Sequence, residues 1–87
     1  MIETHAFTLN LLGLPVRVVF TANVGPGLHR FDYHSDIAPS PFSLIGHRIH
    51  IAFYEAVQAR GIEQYAIDWI EEQSAHRLSK PARHAGQ

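Results

Sequence analysis

Residues 5–12 alternate between apolar and polar side chains, with Phe7, Leu9 and Leu11 set against Thr8 and Asn10. A period of two is that of a half-buried strand. Gly13-Leu14-Pro15 interrupts it, and residues 16–22 start a second strand with Val16, Val18 and Phe20 on one face and Arg17, Val19 and Thr21 on the other. Asn23-Val24-Gly25-Pro26-Gly27 has the composition of a turn, because glycine tolerates positive φ and proline presets its own. A third strand is predicted over 28–34, placing Phe31 and Tyr33 opposite Arg30, Asp32 and His34. Connections this short predict an antiparallel meander.

After the third strand, Ser35-Asp36-Ile37-Ala38-Pro39-Ser40-Pro41 is irregular, since each proline biases its predecessor away from helical backbone. Ser40 before Pro41 reads as an N-cap with proline at the first helical position, and Ser43 competes for that role. Phe42, Ile45, Ile49, Ala52, Phe53, Ala56 and Val57 recur at helical spacing and predict a helix running to about Arg60, with Gly61 ending it. A second helix follows from Ile62 to about Leu78. Its buried stripe is Ile62, Tyr65, Ala66, Trp69 and Ile70, and Glu63, Asp68, Glu71 and Glu72 lie outside. Residues 81–87 read as a flexible tail.

The expected architecture is a single α+β domain over residues 1–80. It is a three-stranded antiparallel β-meander followed by two helices packed on one face (βββαα), in two layers. About ten large side chains, each contributing roughly 1.5–3 kcal/mol on burial, suffice for a small independent fold. The uncovered sheet face would carry Thr8, Asn10, Leu12, Arg17, Val19, Thr21, Arg30, Asp32 and His34.

Composition narrows the function classes. The chain has 87 residues, 46% apolar and 17% charged, which is globular rather than disordered. Seven basic against eight acidic side chains argue against a broad electrostatic footprint on nucleic acid or an anionic membrane. The lack of cysteine removes thiolate metal sites and disulfides. Residues 1–5 lack the features of a secretory signal, and no apolar run approaches the roughly 20 residues that span a bilayer. The expectation is a cytoplasmic protein without a cofactor.

Four of the seven histidines, His29, His34, His47 and His50, fall in one short stretch. On a helix, His47 and His50 would lie about 60° apart, near enough to share a metal ion. His34, Asp36 or Glu55 could then supply a third ligand. The HExxH pattern is absent, so this metal-binding reading stands as an alternative. His34, Ser35 and Asp36 are the residue types of a hydrolase triad, but such groups converge from separate elements and no GxSxG elbow exists. No catalytic residue is assigned, and the chain is read as non-enzymatic. A helix start over 40–46, with His47 and Arg48 one turn in, offers a modest anion site. A nucleic-acid alternative rests on Arg17 and Arg30 on the open sheet face and on a basic end formed by Arg77, Lys80 and Arg83.

The expected first helix is apolar on two sides, since Leu44, Ile51 and Tyr54, with His47, project opposite the Phe42/Ile45/Ile49/Phe53 stripe. Such a helix is either enclosed or covered by another chain. Leu44, His47, Arg48, Ile51 and Tyr54 are therefore the expected contact surface, for a larger protein partner or for a second copy in a homodimer. In size, compactness and lack of catalytic residues the chain resembles the small accessory proteins of phages and plasmids, anti-CRISPR proteins among them. That resemblance is of type and implies a protein that binds and inhibits a larger host partner; it carries over no site residue.

Overall fold

The computed structural model describes residues 3–42 and 46–79. The chain runs through β1 (Thr4–Leu11), β2 (Leu14–Gly25), β3 (Leu28–His34), β4 (His47–Phe53), α1 (Tyr54–Arg60) and α2 (Ile62–Ser79). The strands form one antiparallel sheet in the order β1-β2-β3-β4. The fold is α+β as expected, but the sheet has four strands rather than three.

Two turns set the register of the first three strands. Leu11 pairs with Leu14, leaving Leu12 and Gly13 as a two-residue loop with φ of 54° and 86°. Positive φ at both positions gives the turn whose twist matches the strands it joins. The Asn10 side-chain carbonyl accepts the Gly13 N–H at 2.8 Å. Gly25 pairs with Leu28 around Pro26-Gly27, and the β2–β3 register shifts between Thr21 and Gly25. Within that irregularity Asn23 takes φ 57°, and its N–H donates to His29 Nδ1 at 3.2 Å. A buried histidine thus takes up a backbone group that the bulge releases.

The fourth strand replaces the middle of the expected first helix. Residues 47–53 pair with β3 along its whole length, from Leu28↔Phe53 to His34↔His47. Ile49, Ile51 and Phe53 recur at a period of two, and β-branched side chains suit a pleated strand. Projected as a helix, the same alternation scatters apolar residues around both sides, which is why this segment reads as a two-sided helix. Pairing also satisfies the outer backbone groups of β3. Gly46 makes the entry: it has φ 77°, and a Cβ there would meet the Ser35 carbonyl oxygen at 2.9 Å. Ser35 N–H in turn donates to the Gly46 carbonyl at 2.8 Å. Ser40 is buried in a bridge rather than capping a helix, and Ser43 and Ile45, the competing cap and the next core position of the expected helix, lie outside the described residues.

The first helix is therefore short. It starts at Tyr54, whose N–H donates to the Gly27 carbonyl at 2.9 Å, and ends at Gly61 with φ 90° and its N–H on Val57 O. That end is where the sequence places it. The second helix lays Ala66, Ile70 and Ser74 against the sheet, and the Ser74 hydroxyl donates to the Ile70 carbonyl at 2.9 Å. Leu9, Leu11, Val16, Val18, Phe20, Phe31 and Tyr33 form the sheet side of the core, closed by Phe42, Val57, Ala66 and Ile70. Both helices thus cover one face, and among the described residues no helix covers the other.

Candidate functional site

The open face carries Arg17, Val19 and Thr21 from β2, Arg30, Asp32 and His34 from β3, and His47, Ile49, Ile51 and Phe53 from β4. Strand alternation puts them there, because their neighbours Val18, Phe20, Phe31 and Tyr33 are buried beneath the helices. The two edges of the sheet differ in chemistry. On this face β1 presents Thr4, Ala6, Thr8 and Asn10. By contrast β4 presents Ile49, Ile51 and Phe53, which are 46%, 47% and 68% exposed.

The expected contact residues do not form one surface. His47 and Ile51 share the open face, whereas Arg48 points to the helix side, its guanidinium 5.3 Å from the Trp69 ring centroid and donating to the Phe42 carbonyl at 3.4 Å. Tyr54 begins α1 and meets the buried His29 ring edge-on at 5.4 Å. Leu44 lies outside the described residues. Ile49 and Phe53, read from helical spacing as core, are instead exposed. Their period of two was the signal that could have placed them.

His47 and His50 cannot share a metal ion, because three residues along a strand put them on opposite faces. His50 lies under α2, stacked on Trp69 at 4.1 Å between centroids and hydrogen-bonded to the Tyr65 hydroxyl at 2.9 Å. Burial, helped by the charge of Arg48, holds its pKa below the ordinary 6.5. Burial also raises the Tyr33 hydroxyl, which donates to the Ala66 carbonyl at 3.3 Å. Desolvation raises Tyr65 too, opposed by Arg60 and helped by Glu72.

What the register does bring together is Asp32, His34 and His47, whose donor atoms all lie within 4.8 Å of one another. His34 and His47 are direct cross-strand partners, with rings 4.2 Å apart and 10° from parallel. His47 Nε2 is shielded from solvent and sits 3.6 Å from Asp32 Oδ1. Arg30 donates to both Asp32 oxygens at 3.0 Å. Of the third ligands considered for His47, His34 is close; Asp36 pairs with Arg17 at 3.0 Å, and Glu55 lies on α1.

The remaining candidates lose chemistry to local bonds. The Ser35 hydroxyl accepts the Ile37 N–H at 3.0 Å and donates to the Ile37 carbonyl at 3.1 Å, forming a turn. Arg17 and Arg30 both lie on the open face, yet each is engaged by a carboxylate, which lowers its value as a phosphate contact. Lys80 and Arg83 lie outside the described residues, as does the side chain of Arg77. A cleft of about 410 Å³ opens between the sheet end and α1, lined by Phe20, His29, Tyr54, Val57 and Ile62 with Glu3 at its rim. Among the described residues no helix is long and apolar enough to cross a membrane. No protein-family model, no curated protein and no solved structure matches the chain.

Proposed function

We propose that the protein is a non-enzymatic interaction module that takes an extended segment of a larger protein onto the edge of β4. The observation that carries this reading is the contrast between the two sheet edges. One is polar or small on its open face, and the other bears three exposed apolar side chains in register. Exposed edges are normally blunted by charge, proline or short length, because an unpaired strand templates pairing with another chain. β4 has seven residues and no proline, and its outward row of Ile49, Ile51 and Phe53 bears no charge.

Strand addition fixes the chemistry of the partner. Backbone hydrogen bonds supply affinity, and alternate side chains supply specificity. On the open face the added segment meets Ile49, Ile51 and Phe53, so its residues on that side are apolar. On the other face it meets Arg48, where a carboxylate is complementary. Inhibition by occupancy follows if the segment belongs to a working surface of the partner. An accessory protein of a mobile element blocking a host defence protein is the most concrete form of this reading.

The test is capture from the native host with wild-type protein, Ile51→Lys and Thr8→Lys, followed by hydrogen exchange on the purified pair. Expected are a partner retained by wild type and Thr8→Lys and lost by Ile51→Lys, and slowed exchange at the β4 amides. Capture that is absent or indifferent to Ile51→Lys overturns the proposal. So does a homodimer in light scattering that Ile51→Lys dissociates, since a second copy would then fill the edge.

A further inference from the structure

We infer that Asp32, His34 and His47 form a binding site for a divalent transition-metal ion of the zinc type. The three side chains stand on paired strands, so their origins are fixed by sheet register rather than by loops. Two imidazoles and one carboxylate on one side of an ion are the donor set that suits zinc and its neighbours, with further positions left for water or a partner group. The donors lie within 4.8 Å of one another. Ligands at about 2.0–2.2 Å from a common ion approach more closely than that, so side-chain rotation on a fixed backbone completes the site. The rings of His34 and His47 start 4.2 Å apart and stacked, so a turn of each imidazole brings its in-plane nitrogen toward a common ion.

Arg30 tunes this site. Its fork on both Asp32 oxygens fixes the carboxylate while placing a positive charge beside the ion. A hard ion that relies on carboxylate charge is disfavoured there, whereas an ion that binds neutral imidazole retains two of its three ligands undiminished. The site borders Ile49, the cross-strand partner of Asp32, so a bound ion sits at the end of the apolar row on β4.

The experiment is titration of the purified chain with zinc by calorimetry at pH 7.5, and with cobalt by visible absorption as a direct report of ligand type. One ion per chain is expected. Binding should vanish in His34→Ala and His47→Ala, and His5→Ala should leave it unchanged. Arg30→Gln should tighten it by about tenfold, the effect of removing one unit charge a few ångströms away near a solvated surface. His34→Gln and His47→Gln, which keep a polar side chain of similar length, serve if an alanine variant melts early. Stoichiometric binding insensitive to both histidine replacements overturns the inference, as does a folded wild type with no binding at millimolar zinc. An Arg30→Gln variant that binds more weakly shows that the arginine assists the site and overturns its assigned role.

Discussion

The His50 imidazole stacks on the Trp69 indole, 4.1 Å between centroids and 15° from parallel, with the Tyr65 hydroxyl 2.9 Å from its Nε2. A neutral ring is favoured in this place because burial and the neighbouring Arg48 both disfavour its charge. The unfolded chain binds the proton more readily, at the ordinary value of 6.5. This group therefore costs no stability above that pH, and stability is lost as pH falls below it, until the folded state also takes up the proton. The thermal midpoint should drop between pH 7.5 and pH 5. The drop should be smaller in His50→Gln, and an equal drop in both proteins would show that His50 is not the group responsible.

Leu12 should be improved by replacement. It is 74% exposed and holds φ 54°, a conformation that costs a residue with a Cβ roughly 1–2 kcal/mol. Asparagine tolerates that backbone and, before Gly13, makes the preferred hairpin dipeptide. Leu12→Asn should stabilise the fold by about 0.5–1 kcal/mol in urea denaturation.

Gly46→Ala should do the opposite. Its φ of 77° is disfavoured for alanine, and the new methyl group would press on the Ser35 and Ile37 carbonyl oxygens at 2.9 and 3.3 Å. A loss of about 1–3 kcal/mol is expected. A neutral result would mean that the entry to β4 is more yielding than its backbone contacts imply.

Phe31 and Phe53 distinguish the strand from the helix that spacing alone suggests. Phe31 is wholly buried, and Phe31→Ala should cost about 3–5 kcal/mol. Phe53 is 68% exposed, and Phe53→Ser should cost under about 1 kcal/mol. If Phe53 belonged to a helix stripe facing the core, the two losses would be similar.

Much of the fold was legible from local pattern. The alternation of Phe7, Leu9 and Leu11, of Val16, Val18 and Phe20, and of Phe31 and Tyr33 names the buried face of three strands correctly. Gly61 marks the end of α1, and the stripe from Ile62 to Ile70 marks α2. The segment 47–53 was ambiguous because it can be read at either period, and its strand state depends on pairing with β3, a partner distant from it in the chain. The site followed the same rule. Sequence alone offers His34 as a companion to His47, but Asp32 joins them only once two strands are laid side by side in register.

The sequence by itself determined where turns must fall, which strand faces are apolar, and that the chain carries histidines but no thiolate. Those properties are local, since they depend on residue type and spacing within a few positions. Tertiary structure decided that Ile49, Ile51 and Phe53 stand exposed on an edge, and that His47 faces Asp32 and His34 while His50 faces Trp69. The physical reason is register: a strand assigns each side chain to one of two faces, and only its hydrogen-bonded neighbour fixes which.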